Sequence, residues 1–340
     1  MTMKKALIAS TALVLTAGYA AADVTISGYG RTGVIYQESD DTRTNETQIV
    51  SRLRMNIDAS TTTDQGVEFG GRIRLQWDQG EEGATESPGL LYVTANGLTV
   101  SVGNVGTAYD EAGLIYATEL GAFDRSVGGN SLGDFYAFNT DGYDRGDQVG
   151  VAIEYAVGDL TARASYIDPD QSGYFEDDAD DGVINGYSGF EEEFGVSFDY
   201  VWNERLELSL AAVQNGAGIE DNDQYFVGAR YAINDAARIG LNYIDNGDDR
   251  AEFFDPNADG SNDYDLGNTI ALYGDYTLAD GLTNIEAYIA NNDGDWASKE
   301  SDNAFGIGVN YDLGGARLGA SIQRDYDEDV TADMGVRFDF

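Results

Sequence analysis

The segment Asp333-Met-Gly-Val-Arg-Phe-Asp-Phe340 alternates, residue by residue, between polar or small side chains and apolar ones. Alternation with a period of two places the two kinds of residue on opposite faces of a β-strand. The pattern recurs along the chain in segments of about 8–12 residues, with Tyr, Phe and Leu on one face and charges on the other. Since little apolar sequence is left over for a central core, we predict a closed barrel that is apolar outside and wet inside.

The first 22 residues have the layout of an export signal. Lys4 and Lys5 precede a mostly apolar run over residues 6–19, and three alanines at 20–22 form a small-residue cleavage site. The apolar run is too short for a membrane-spanning helix. We therefore expect a signal peptide over residues 1–22 and one transmembrane β-barrel domain over residues 23–340.

The composition excludes several classes of function. The formal net charge is −42, and it becomes −44 once Lys4 and Lys5 are removed, so nucleic acid is a poor partner. The chain contains no His and no Cys, which removes His-based general bases, Cys nucleophiles and disulfides. We predict that the protein is not an enzyme. The acidic loops are explained by solubility, by divalent cations that bridge them to a polyanionic cell surface, or by a cation-attracting entrance.

Turn signals divide the chain after residue 22 into sixteen antiparallel strands. Seven tight turns, among them Asn96-Gly97 and Gly314-Gly315, alternate with eight longer connections, and one of these is Gln79–Pro88. An even number of strands with short turns at one end and long loops at the other is typical of bacterial outer-membrane barrels. Tyrosines near strand ends on the apolar face fit an interfacial aromatic girdle: Tyr155, Tyr200, Tyr231, Tyr243 and Tyr311.

Five arginines share the polar face of the first three predicted strands, and we call them the arginine wall: Arg31, Arg52, Arg54, Arg72 and Arg74. Like charges on neighbouring strands repel each other, so the wall needs anions or water nearby. We interpret the wall as one side of the lumen. The alternative, solvated inward charges without a role, stays open.

The longest connection, Asn104–Gly146, is called the third loop and carries both acids and apolar side chains. A long loop in a compact fold is usually functional, and residues such as Leu114, Ile115 and Phe123 are out of place in water. We expect the loop to fold into the lumen, with its carboxylates facing the arginine wall as a charged filter. The candidate carboxylates for this pore constriction are Asp110, Glu111, Glu119 and Asp124.

At this point the chain resembles the sixteen-stranded general-diffusion porins of alphaproteobacteria, of the Rhodobacter porin type. The resemblance covers essentially the whole chain after the signal. It rests on that signal, the opening segment Asp23-Val-Thr-Ile-Ser-Gly-Tyr-Gly-Arg31, the segment Gly97-Leu-Thr-Val-Ser-Val-Gly-Asn104 that leads into the third loop, and the terminal Phe340.

The resemblance implies a homotrimer in the outer membrane of a Gram-negative cell, in contact with lipid and lipopolysaccharide. It implies an inward-folded third loop and passive diffusion of small hydrophilic solutes and ions. It also implies that the arginine wall matches the basic side of the constriction, and that Asp and Glu residues of the third loop match its acidic side.

Two acidic loops have the oxygen-ligand spacing of the first half of a calcium loop. Neither has the bidentate Glu that closes such a loop, so a turn-rich acidic loop and a calcium site both stay open. The resemblance favours calcium, and no cofactor is otherwise required. The candidate ligands are Asp255, Asn257, Asp259 and Asp263 in one loop, and Asp168 and Asp170 in the other.

Three rival functions stay open. A substrate-specific channel would carry a run of aromatic residues along the lumen, and the sequence shows no clear one. A barrel enzyme would need a catalytic set, which the missing His argues against. A plugged adhesin would leave the arginine wall without a purpose. We expect passive diffusion with a moderate cation preference, because carboxylates dominate the mouths.

Overall fold

The computed structural model describes residues 23–39, 45–117, 120–123, 137–138, 149–169, 191–247, 266–295 and 299–340. These residues form antiparallel strands and one short 3₁₀ turn, Gly216–Gly218. The strands in chain order are β1 (Asp23–Gln37), β2 (Thr47–Thr62), β3 (Glu68–Asp78), β4 (Thr85–Glu86), β5 (Leu90–Ala95), β6 (Leu98–Gly103), β7 (Val149–Val157), β8 (Leu160–Asp168), β9 (Glu193–Trp202), β10 (Leu206–Gln214), β11 (Gln224–Asn234), β12 (Ala237–Asp245), β13 (Asn268–Thr277), β14 (Thr283–Asn292), β15 (Asn303–Asp312), β16 (Arg317–Arg324) and β17 (Val330–Asp339).

The sheet closes on itself. Strands that follow one another along the chain pair, except that β4 and β5 both pair with β3, and β17 returns to pair with β1. At the seam, the N–H of Phe340 donates to the carbonyl of Gly28 at 3.0 Å, and the N–H of Gly28 donates to the carbonyl of Phe340 at 2.8 Å. Closure pairs the edge strands, which a sheet in lipid requires. Because β4 and β5 both pair with β3, the segments form sixteen barrel strands, and the predicted fold class is confirmed.

The predicted connection Gln79–Pro88 is wrong at its end. Thr85 and Glu86 lie opposite β3, where Glu86 pairs with Leu75. The pairing resumes with Leu90 opposite Arg72, so the strand has one more residue than β3 between these two points. A bulge of this kind accommodates Pro88, which has no N–H to donate to the ladder.

The outer face of the barrel is apolar and exposed. On β15, Phe305, Ile307 and Val309 are exposed while Gly306 and Gly308 between them are buried, as the alternation predicts. The exposed large side chains recur around the sheet, which marks a surface that contacts an apolar phase. The five predicted girdle tyrosines all lie among these exposed side chains. Among the residues that the structure describes, no helix is long and apolar enough to span a bilayer.

The interior is not uniformly wet, which corrects the expectation from sequence. Apolar side chains on the inner faces of β10 to β15 pack against the third loop in one buried cluster. The loop contributes Tyr109, Ile115 and Leu120, each with no exposed surface. The sequence pattern had indicated almost no core, because inward apolar positions are scattered singly along several strands. The wall members of the cluster include Ala211, Val213, Phe226, Ile244, Ala271, Tyr273, Tyr288, Ala290 and Ala304.

Candidate functional site

Four arginines lie in register across four neighbouring strands. Arg31 on β1 lies opposite Arg52 on β2 and opposite Arg337 on β17, and Arg337 lies opposite Arg317 on β16. Directly opposed residues in an antiparallel pair have Cβ atoms about 4.5–5.5 Å apart, so these four charges share one narrow band of the inner wall. We call this band the arginine row.

Two members of the arginine row, Arg317 and Arg337, were missed in the sequence analysis. Arg337 belongs to the polar face of the terminal segment, which was recognised. Closure of the barrel places that last strand beside the first strand, and this step would have joined Arg337 to Arg31. The arginine row is therefore a consequence of topology as much as of composition.

The arginine wall has acceptors on its own strands. Arg52 Nε lies 2.5 Å from Asp78 Oδ1, and Arg72 Nε lies 2.7 Å from Asp58 Oδ1. Both are directly opposed pairs of β2 and β3. The sequence analysis sought compensating acids only in the third loop and so missed these two. The other two contacts of this ladder run from Arg54 Nε to Gln76 Oε1 at 2.6 Å and from Arg74 Nε to Asn56 Oδ1 at 3.0 Å.

Tyr29 is a further residue that the sequence analysis missed. Its ring centroid lies 4.4 Å from the guanidinium carbon of Arg337, 5.5 Å from that of Arg54 and 5.8 Å from that of Arg31. A cation near the face of an aromatic ring is attracted by the ring quadrupole. Tyr29 therefore helps to hold three guanidinium groups close together without adding a negative charge.

The described part of the third loop lies against the inner wall. Backbone N–H groups and a carbonyl of the loop form hydrogen bonds with side chains on the inner face of four different strands. The contacts are Ala108 N–H to Ser165 Oγ at 2.8 Å on β8, Gly113 N–H to Asp199 Oδ1 at 2.9 Å on β9, Asn242 Nδ2 to the carbonyl of Leu114 at 2.7 Å on β12, and Ala122 N–H to Asp333 Oδ1 at 2.9 Å on β17.

Glu193 fastens the later part of the third loop. Its side chain is fully buried, and Oε2 accepts hydrogen bonds from the N–H groups of Phe138 and Ala217, each at 2.8 Å. Phe138 belongs to the third loop, and Ala217 belongs to the 3₁₀ turn between β10 and β11. One carboxylate therefore joins two connections at the start of β9.

The predicted acidic side of the constriction is described in part. Glu111 is exposed and lines a cavity of about 120 Å³ together with Arg72 and Arg74. Asp110 is half-buried and accepts a hydrogen bond from the hydroxyl of Tyr116. Glu119 and Asp124 lie outside the described residues. The structure thus brings one predicted carboxylate and two predicted arginines to the same recess.

Arg31 has a different environment from the rest of the arginine wall. Its Nη1 donates to the carbonyl of Phe123 in the third loop at 2.6 Å, and its guanidinium lies 5.4 Å from the centre of the Phe123 ring. The inner wall from β7 to β13 repeats the pairing seen for Arg52 and Arg72, because there too arginines pair with acids on adjacent strands. These ion pairs include Arg163 with Glu154 and Asp199, Arg230 with Glu207, and Arg238 with Asp275.

The calcium candidates are mostly outside the described residues: Asp170, Asp255, Asn257, Asp259 and Asp263. Asp168 is described, and it ends β8 opposite Val149. Within the described ranges, no group of three or more His, Cys, Asp or Glu side chains is arranged to hold a metal ion. Calcium binding stays a prediction.

Comparison with known proteins agrees with the architecture. Residues 9–333 match the family model described as Gram-negative porin. A porin of Fuscovulum blasticum is 37% identical over 94% of this chain and 100% of its own length, and a porin of Rhodobacter capsulatus is 26% identical over the same shares. A solved mutant of the Rh. blastica porin aligns with a TM-score of 0.78 and 34% identity, covering 93% of this chain and 100% of its own.

Family membership identifies the cell compartment and the class of activity, which the geometry alone does not specify. An exposed apolar outer face, a closed sixteen-stranded sheet and a charged interior are what a channel through the outer membrane needs. The chain therefore belongs to the Gram-negative porin family, as a non-enzymatic outer-membrane β-barrel channel.

Proposed function

We propose that this porin is a water-filled pathway for passive diffusion of small polar solutes and ions, with a constriction between the arginine wall and carboxylates of the inward-folded third loop. The observation that carries the proposal is the shared recess of Arg72, Arg74 and Glu111. Opposite charges that face each other across a narrow passage create a transverse field, and rings of charged side chains set ion selectivity in pores.

The transverse field favours polar solutes over apolar ones. A dipolar solute and its water can align with the field as they pass, whereas an apolar solute must displace ordered water without compensation. The acidic mouths raise the local concentration of cations, and the arginines oppose their passage at the narrow point. The net result that we propose is a moderate cation preference.

We also propose a homotrimer that forms through the outer faces of the first strands and the last strand. Small outward residues there, such as Gly28, Ala59 and Gly71, allow another barrel to approach closely, whereas the ring of Phe338 covers Gly30. The second connection, now bounded by β3 and β4 as residues 79–84, lies beside this face and is our candidate for a latch between protomers. Lipid and lipopolysaccharide would cover the remaining outer surface.

Planar-bilayer recording with a salt gradient tests the channel. We expect ohmic conductance steps that arrive in threes, and a reversal potential on the cation side. The double variant Arg72→Gln/Arg74→Gln should increase the cation preference, and Glu111→Gln should decrease it. Arg205→Gln is the control for charge loss outside the recess, because Arg205 is exposed in the turn between β9 and β10 and its substitution removes one positive charge there.

The outcomes separate the parts of the proposal. A protein that gives no conductance steps at all would contradict the diffusion channel and favour a plugged barrel. The reversal potential could instead be as insensitive to substitution of Arg72, Arg74 and Glu111 as it is to substitution of Arg205. That result would be consistent with a diffusion channel but would contradict a constriction at this recess. Saturating flux of one solute would favour a substrate-specific channel.

A further inference from the structure

Three members of the arginine row divide between two tasks. We propose that Arg31 and Arg317 are positioning residues that anchor the third loop to the barrel wall, whereas Arg52, in the same row, acts on the permeating ions. The inference deepens the proposed function, since it concerns the loop that would border the constriction. The anchored segment is Gly121–Phe123.

Three consecutive loop residues bond to three adjacent strands. Arg31 Nη1 on β1 donates to the carbonyl of Phe123 at 2.6 Å, and Arg317 Nη2 on β16 donates to the carbonyl of Gly121 at 3.4 Å. Between them, the N–H of Ala122 donates to Asp333 Oδ1 on β17 at 2.9 Å. Hydrogen bonds that involve a charged partner are stronger than neutral ones, so this arrangement fixes the segment at three points.

The barrel wall has glycines, and so no side chains, at two positions that contact the anchored segment. Gly319 on β16 and Gly335 on β17 are directly opposed, and each lies one inward position along its strand from an arginine of the row. A Cβ on Gly319 would lie 2.6 Å from the nitrogen of Ala122, and a Cβ on Gly335 would lie 3.1 Å from the ring of Phe123. The two glycines therefore let the loop backbone reach the wall.

The loop residue that leads into the segment is equally constrained. Gly121 has a φ of +72°, a conformation that L side chains rarely adopt, and a Cβ there would lie 2.5 Å from Asp333 Oδ1. Asp333 is held in turn by Ser321 Oγ at 2.5 Å from its other carboxylate oxygen. Loop and wall thus fit each other at one defined position.

The anchored segment is dry. Ala122 has no exposed surface and Phe123 is 5% exposed, and both pack against Ile35 of β1 and the half-buried Val50 of β2. In this setting the loop carbonyls accept from Arg31 and Arg317 and so direct two guanidinium groups toward the loop. Arg52 instead contacts Asp78 on β3, and its side chain is 28% exposed to the lumen.

A thiol-labelling experiment tests the anchor without using conductance. The chain has no Cys, so Ala122→Cys introduces the only thiol, at a buried position. We expect slow reaction with a hydrophilic methanethiosulfonate reagent, and about tenfold or faster reaction when Arg31→Met and Arg317→Met are added, because loss of the short charged hydrogen bond from Arg31 alone lowers the docked population about tenfold. Arg52→Met, the matched control, should leave the rate unchanged.

Hydrogen exchange on the chain without the cysteine gives a second measurement, in case Ala122→Cys does not fold. The Ala122 amide should exchange faster in Arg31→Met/Arg317→Met than in Arg52→Met. Equal labelling and equal exchange in the two variants would overturn the anchor. Because neither measurement needs an open channel, the anchor and the diffusion proposal can fail separately.

Discussion

Arg52 and Asp78 are a directly opposed pair of β2 and β3, with the guanidinium Nε 2.5 Å from the carboxylate Oδ1. The basic side of the lumen therefore contains its own negative charges. Arg72 and Asp58 repeat the relationship six residues away on the same two strands. A permeating ion meets the sum of the positive and negative charges on this wall. The net positive charge of the wall increases when an acid is removed and decreases when an arginine is removed.

Asp78→Asn should shift selectivity toward anions. The substitution removes one negative charge beside Arg52, and two unit charges about 4 Å apart in water interact by about 1 kcal/mol, which corresponds to about a fivefold change in ion occupancy. The measurement is the reversal potential in a salt gradient. Asp64→Asn is the matched control, because Asp64 is exposed in the turn between β2 and β3. An equal shift in both variants would mean that Asp78 acts only through total charge.

Glu193→Ala should loosen the third loop. The N–H groups of the buried Phe138 and the half-buried Ala217 both donate to Glu193, and a buried donor left without its acceptor costs about 1–3 kcal/mol. We expect faster amide exchange at Phe138 and Ala217 while the strands stay protected. Glu192→Ala removes the adjacent, exposed carboxylate and should leave exchange unchanged. Unchanged protection of Phe138 in Glu193→Ala would contradict this role.

The strand count could be predicted from sequence because its signals are local. Side chains that alternate with a period of two and turns such as Asn96-Gly97 fix strands and connections without knowledge of the partner strand. The bulge at Pro88 could not be placed in this way, since a bulge is defined by the residues opposite it. The same limit hid Asp78 and Asp58, which act as partners of arginines only once β2 and β3 are in register.

The candidate site was predicted in composition more than in arrangement. Arg72, Arg74 and Glu111 were chosen from the sequence, and the structure brings them to one recess. Arg317 and the inward aromatic Phe226 were not chosen, because both act through contacts with the third loop, which is distant in sequence; Arg317 bonds to a loop residue 196 positions away. The roles of both residues depend on packing between segments that are distant in sequence. The local alternation of polar and apolar residues therefore does not reveal them.

Gly319→Ala should displace the anchored segment of the third loop. The new Cβ would lie 2.6 Å from the nitrogen of Ala122, and overpacking of this kind typically costs about 1–3 kcal/mol. We expect faster exchange of the Ala122 amide and altered single-channel conductance. Gly315→Ala is the matched control in the turn between β15 and β16, where a Cβ would meet nothing within 4 Å. Identical behaviour of the two variants would show that the loop does not need bare backbone at Gly319.

The turn between β13 and β14 should lose its order in acid through one carboxylate. The N–H groups of Thr283 and Leu282 and the hydroxyl of Thr283 donate to Asp280, and these hydrogen bonds lower the pKa of Asp280 below its usual value. A lowered folded-state pKa means that the stabilisation is complete above the unfolded-state pKa and is lost as the pH falls through the folded-state pKa. NMR titration of the Leu282 and Thr283 amides should show this transition in the native chain, and Asp280→Asn should abolish it. A carboxyl that titrates at or above the usual Asp range would contradict the assignment.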